Sequence, residues 1–442
     1  MNALRSGRFS LALILLVNLS SCRKDELASK PPLGGFRTYN WVPVKVKPDP
    51  SGGFVLLCKR SPSSSWTGYL QLLGPTGEPG GRIDLDQLPD TFGNALAGDT
   101  VVYEFDSDRI LYTDLVAHTS GDFTVVGLAH ITTGVSGGVY LIGRRFHRDG
   151  GLKSTFLKWI NSGAVVTVND DADLYADLYG LPREKALCEE LPDGTLVVSV
   201  RYEDATRSFV RTVRFPSTLT GQPPTEGGFP MGRASRRLHQ MACDPVAGQP
   251  LLIYDSTLSG LQTGAAQDVN SVDQFTGWDW NECSKLGSDP IEPQQLQWND
   301  GQFTLVGYVT NANDGRFKPF ASQFTGTTGS PINLHVLTGI GSPEQSVACY
   351  CAGVWGGRVE LLVNVQEAST LSPYFLNDVS SDLVLAELDP ALGLISTQLI
   401  IPRQGLRPIG IFRVNGQRVI IGSHHPYLNP NLQHTFFLAM DR

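Results

Sequence analysis

The chain has 442 residues, with 35 basic and 43 acidic side chains giving a formal charge of −8. That acidic balance argues against a nucleic-acid-binding role, for which a basic face is the expected footprint. Forty-seven glycines, 28 prolines and only 18% charged residues suit an all-β chain with many turns rather than a helical one.

At the N-terminus, Arg5 and Arg8 precede an apolar run over residues 9–19, a charged n-region followed by an h-region. The run is too short to span a bilayer, which needs about 20 apolar residues. Leu19-Ser20-Ser21-Cys22 closes it and resembles the lipobox of bacterial lipoproteins. The resemblance implies that residues 1–21 are a signal peptide and that Cys22 becomes the acylated first residue, palmitate included. Loss of Arg5 and Arg8 would leave 421 residues with a charge of −10. One acyl chain holds only weakly, whereas a multiply acylated cysteine is a durable anchor. Arg23-Lys24-Asp25-Glu26 is similar to the signal placed behind the lipidated cysteine in surface-exposed lipoproteins of the Bacteroidota. That implies an outer membrane location, with the body exposed at the cell surface. Residues 22–35 read as a tether mixing stiff and flexible residues, with a reach of at most about 45 Å.

Residues 36–442 carry a repeat in which a glycine turn leads into an apolar run. It recurs at Ser51-Gly52-Gly53-Phe54-Val55, Ser120-Gly121-Asp122-Phe123-Thr124 and Pro192-Asp193-Gly194-Thr195-Leu196. Gly248, Gly301, Gly357 and Gly416 mark four further copies, with spacings of 53 to 73 residues. Most copies add a second hairpin, as at Tyr69-Leu70-Gln71-Leu72-Leu73 before Gly74-Pro75-Thr76-Gly77. Two hairpins make a four-stranded antiparallel blade, and blades repeated about one axis make a β-propeller. Seven blades of four antiparallel strands are expected, with six or eight as alternatives. The fourth copy is the weak one, because residues 262–267 offer a poor third strand. The last copy ends on its third strand, so a strand within residues 36–41 is expected to complete the ring and leave no open edge. The pattern resembles the degenerate propeller repeats of Bacteroidota lipoproteins.

Beyond Cys22 there are six cysteines, and several lie inside apolar runs such as Val55-Leu56-Leu57-Cys58, where a thiol serves as a small buried hydrophobe. Cys349-Tyr350-Cys351 has neither a Cys-x-x-Cys partner nor a nearby histidine, so no metal site is expected, and no cofactor.

In such a fold the loops joining second and third strands share one face with the connections between blades, and long loops on a rigid scaffold are where binding residues gather. The candidate ligand residues on that face are Trp66, Tyr175, Trp278, Trp280, Tyr374, Asp378, His424 and Tyr427. Aromatic rings with amides and acids suit a glycan or a protein partner. Catalytic motifs fail on context. Gly134-Val135-Ser136-Gly137-Gly138 spells a nucleophile elbow but links two strands, where the elbow needs a strand-to-helix turn. The acidic residues Asp171, Asp173 and Asp177 echo a calcium loop without its glycine and terminal glutamate. His424 and His425 point to opposite sides of an extended chain. The expected function is a binding or scaffolding module at the outer membrane, with no catalytic residue assigned. Its alternatives are an accessory subunit of an outer-membrane complex or a propeller-fold polysaccharide lyase or hydrolase.

If Cys22 carries the anchor, Cys22→Ala moves the protein from the membrane fraction to the soluble one. Unchanged fractionation overturns the lipoprotein reading.

Overall fold

In the computed structural model the described residues are 36–60, 67–89, 91–98, 102–104, 110–131, 138–161, 186–203, 208–217, 224–231, 238–246, 248–256, 260–265, 278–279, 291–299, 301–310, 315–325, 331–367, 381–424 and 434–440. Among them the chain forms antiparallel sheets of four strands arranged as propeller blades, together with a small hairpin of Thr91–Gly93 and Val102–Glu104.

From inner to outer strand, blade one is Pro43–Pro48, Phe54–Lys59, Thr67–Leu73 and Pro79–Asp84. Blade two is Ile110–Ala117, Phe123–Ile131, Gly138–Phe146 and Leu152–Asn161, and blade three is Ala186–Glu190, Leu196–Glu203, Ser208–Phe215 and Thr225–Met231. Blade four is Leu238–Asp244, Gln249–Ser256, Gly260–Ala265 and Trp278–Asp279. Blade five is Ile291–Asn299, Gln302–Thr310, Phe317–Thr325 and Pro331–Val336, and blade six is Gln345–Trp355, Arg358–Glu367, Asp382–Leu388 and Leu394–Ile401. Blade seven is Leu406–Val414, Gln417–His424, His434–Met440 and, outermost, the N-terminal strand Phe36–Tyr39.

The expectation of seven full blades needs correcting. Six of these sheets have four full strands, whereas the outer strand of blade four is two residues long and pairs only at Gln262↔Asp279 and Thr263↔Trp278. Its third strand, expected to be the poor one, pairs along its whole length with the second. The deficit falls on the outside because Gly260 and Gly264 leave that third strand little side chain for an outer strand to pack on.

The turn glycines do what the repeat requires of them. Gly53, Gly121, Gly194, Gly248, Gly301, Gly357 and Gly416 all have positive φ, between 65° and 128°, at the turn from inner to second strand. Each second strand is then buried on both faces, which is why it reads as a continuous apolar run instead of an alternating one. In Phe54–Lys59, Val55 and Leu57 pack on blade two while Phe54, Leu56 and Cys58 pack on blade seven. The same division repeats around the ring, and every neighbouring pair of sheets shares an apolar cluster. Five described cysteines are free thiols, four of them buried within these runs. Burial pushes the thiols of Cys58 and Cys349 well above the usual cysteine value, as befits inert packing groups.

Closure follows the expected route. Phe36–Tyr39 pairs antiparallel with His434–Met440, Phe36 opposite Leu438 and Tyr39 opposite Thr435. Tyr39 stacks on Trp41 at 4.4 Å, its hydroxyl donates to the Gly77 carbonyl, and Thr435 Oγ1 donates to the Trp41 carbonyl at 2.6 Å. Residues 1–35, with Cys22 and the tether, lie outside the described residues.

Deleting residues 36–41 should lower the melting temperature of the whole ring, since blade seven loses its outer strand. Deleting residues 23–34 should leave the melting temperature unchanged; equal melting curves for the two deletions refute closure by this strand.

Candidate functional site

The inner strands surround a central cavity of about 750 Å³, and all seven sheets contribute to its wall. What aims side chains into it is a recurrent defect. In six of the seven inner strands the register against the second strand slips by one residue, leaving Val44, Thr113, His239, Gln294, Tyr350 and Ile409 as bulged residues. A bulge leaves one residue unpaired and bends the strand, re-aiming its side chain. Val44, Thr113, Gln294, Tyr350 and Ile409 accordingly lie on the cavity wall.

The bulges have a sequence basis on both strands. Pro43, Pro293 and Pro408 stand immediately before the bulged residue, where a missing N–H costs no ladder bond. Opposite them, Gly307 and Gly422 let the bulged strand approach closely: a Cβ on either would lie 2.2 Å from the carbonyl oxygen of Glu292 or Arg407.

The bent strands place polar side chains where they bond the next blade. Lys45 Nζ lies 3.2 Å from Asp114 Oδ1, and Asp114 Oδ2 accepts from the Cys188 N–H at 3.0 Å. One carboxylate thereby joins blades one, two and three. Thr113 Oγ1 donates to the Ala186 carbonyl at 2.7 Å, and Gln240 Nε2 donates to the Gln294 carbonyl at 2.8 Å. Gln295 Oε1 accepts from the Ala352 N–H at 2.7 Å, and Asn299 Nδ2 donates to the Val354 carbonyl at 3.0 Å. Lys47 reaches Glu189 at 2.8 Å. Burial disfavours the Lys47 ammonium, but Glu189 and Asp114 more than offset it and hold the amine above the usual lysine value.

At the end of the cavity nearest the glycine turns, Glu360 is 2% exposed and accepts from Arg413 Nη2 at 2.7 Å and from Arg418 Nε and Nη2 at 2.8 and 2.7 Å. The Arg413 guanidinium sits 4.8 Å from the centre of the Trp355 ring, close enough for a cation–π contact. Trp355 lies across Gly353, where a Cβ would come within 1.8 Å of the indole. At the other end Arg407 lies 5.2 Å over the ring of Tyr350. The wall thus combines carboxamides, paired charges and fixed aromatic rings.

One arrangement has the outline of a catalytic triad. His118 Nδ1 is 2.6 Å from Glu190 Oε1, and His118 Nε2 is 2.6 Å from Thr124 Oγ1. Both His118 and Thr124 are 1% exposed, so no substrate reaches the hydroxyl, and the trio is a structural latch between blades two and three. No group of three or more possible metal ligands occurs among the described residues.

The residues expected from sequence lie mostly elsewhere. Trp66, Tyr175, Trp280, Tyr374, Asp378 and Tyr427 fall outside the described residues, as do residues 134–137 and 171–177. Trp278 is in the outer strand of blade four, opposite Thr263. His424 ends the second strand of blade seven, half-buried and opposite Leu406 and His434. These two stand in different, non-adjacent blades and do not form a site together.

No protein-family model matches the chain, and no curated protein matches it. Solved structures similar to it include the Dos1 propeller, with 8% identity, a TM-score of 0.44, and coverage of 89% of this chain and 77% of that one. The polysaccharide lyase Uly1 matches at 8% identity over 94% of both chains with a TM-score of 0.42. The NanB sialidase from Streptococcus pneumoniae matches at 11% identity over 94% of this chain and 70% of that one, also with a TM-score of 0.42. Likeness at this level carries nothing about activity.

The latch predicts a pH dependence. Burial raises the Glu190 pKa, but the hydrogen bond and charge of His118 outweigh it and leave the carboxyl below its usual value. A lowered folded-state pKa stabilises above the ordinary glutamate pKa, and that contribution is lost as pH falls through the folded value. Urea midpoints of the wild type and Glu190→Gln should therefore differ at neutral pH and converge in acid; a constant gap overturns this role.

Proposed function

We propose that the chain is an exported, lipid-anchored β-propeller that serves as a binding module at the cell surface, with a glycan as its ligand and the central cavity as its site. The observation that carries the ligand class is the make-up of the cavity wall. Gln240, Gln294, Gln295, Gln297 and Asn299 line it together with Trp298, Tyr350 and Trp355. Carboxamides both donate and accept, which matches hydroxyl groups, while rings supply flat apolar area at low entropy cost. Lys45 with Asp114 and Lys47 with Glu189 compensate one another, so most of this wall is polar without strong net charge. The lipobox resemblance at Cys22 supports the anchor, and the acidic residues behind it support surface exposure.

The test is calorimetric titration of the full chain in detergent with neutral and acidic oligosaccharides. Trp355→Ala should weaken binding by about 1 to 3 kcal/mol, the range of a hot-spot side chain, with an unchanged far-UV spectrum. If no saccharide binds and an outer-membrane protein co-purifies in fixed ratio from intact cells, the glycan reading is replaced by that of a protein-binding subunit.

A further inference from the structure

Two buried donors on the cavity wall have no acceptor. Gln297 Nε2 and Arg413 Nε are each shielded from solvent and make no hydrogen bond. Leaving a buried donor unpaired costs the full desolvation of that group, so such atoms call for a partner that arrives from outside. Their surroundings define it. Gln297 stands between Gln295 and Asn299 on blade five, and strand alternation puts all three on one side. Its two neighbours spend their amides on the Ala352 N–H and the Val354 carbonyl of blade six. The middle amide of that ladder is the free one. Across blade six, Arg413 of blade seven lies against Trp355, which its own strand holds flat over Gly353.

The charge here is uneven. Arg413 and Arg418 share the single carboxylate of Glu360, while Arg358 is matched by Glu387 at 2.5 Å and Lys47 by Glu189 at 2.8 Å. One positive charge remains uncompensated, on the guanidinium whose Nε–H is free.

We infer that the end of the cavity nearest the glycine turns, between Gln297, Trp355 and Arg413, takes the carboxylate of an acidic saccharide. Arg413 Nε and Gln297 Nε2 donate to the carboxylate, and the sugar ring lies against the Trp355 indole. A charge-assisted hydrogen bond is about twice as strong as a neutral one, so a carboxylate is favoured over a hydroxyl at the same donors. This rests on the glycan reading and narrows it to sugars bearing an acid group.

The experiment uses tri-galacturonate and its methyl ester as probes of the full chain in detergent, read by calorimetry beside thermal melts. The wild type should bind the acid at least about tenfold more tightly than the ester, as expected when a charged acceptor replaces a neutral one. Gln297→Met removes a donor that bonds nothing within the protein, so it should raise the melting temperature while weakening the acid several-fold. Arg413→Gln should abolish the preference for acid over ester; Glu360 keeps both bonds from Arg418, so the ring stays folded. Equal affinity for acid and ester, or a preference that survives both substitutions, overturns the inference and leaves the glycan reading standing. Failure of both probes overturns the inference as well, and the neutral saccharides of the preceding titration then decide the glycan reading separately.

Discussion

The constraint on which the rest of this ring depends is the slip in register of its inner strands. Sheets that converge on an axis crowd at their inner edges, where side chains from neighbouring blades must share space. Bending six inner strands by one extra residue turns that crowding into contact between blades. Thr113 bonds blade three directly from its bulge, and Lys45, Asp114, Gln240 and Gln295 bond their neighbours from the positions next to one. The apolar clusters between blades supply bulk adhesion, and this polar seam fixes how each sheet is placed against the next. A buried donor or acceptor without its partner costs more than a pair contributes, so the seam tolerates few other arrangements.

The cavity is a by-product of that seam, and its chemistry is set by what the seam leaves over. Carboxamides that bond a neighbouring backbone remain on the wall with part of their hydrogen-bonding capacity open. Glu360 is held by two arginines and is committed. The aromatic rings are held as firmly: Trp355 by the absence of a side chain at Gly353, and Phe412 by Gly410, where a Cβ would come within 2.4 Å of the phenyl ring. Such a surface is organised before any ligand arrives, so little ordering cost remains to be met on binding.

Much of the fold was legible because its signals are local. A glycine with positive φ between two runs buried on both faces marks each turn from inner to second strand, and Phe54–Lys59 or Leu196–Glu203 could be read without knowing the neighbouring blade. The closing strand was legible by counting, since a third strand ending at Met440 needs a fourth. The site was not, because its residues come from inner strands of separate blades and none forms a motif. Reasoning from loop length led instead to Trp66, Tyr374 and their companions on one face. A signal did exist in proline placed inside a strand-like run, as in Glu292-Pro293-Gln294 and Arg407-Pro408-Ile409, matched by glycine in Val306-Gly307 and Ile421-Gly422. Proline within a strand marks an edge or a bulge, and here it marks both. The truncated outer strand of blade four depends on pairing across a sheet, which the poor look of residues 262–267 located one strand too early.

Closure by the N-terminal strand also has a consequence in time. Thr435 donates to a carbonyl 394 positions earlier, at Trp41, and the whole Phe36–Tyr39 ladder spans a comparable separation. During synthesis blade one can assemble early, but its first partner strand waits for the last residues of the chain. Until then the nascent protein is an open arc with an unpaired strand at its leading edge, a template for joining another chain. Contacts this distant in sequence slow folding, so the final step is the slow one and the one most exposed to misassembly. A ring that is stable because it lacks edges must therefore pass through a state defined by them.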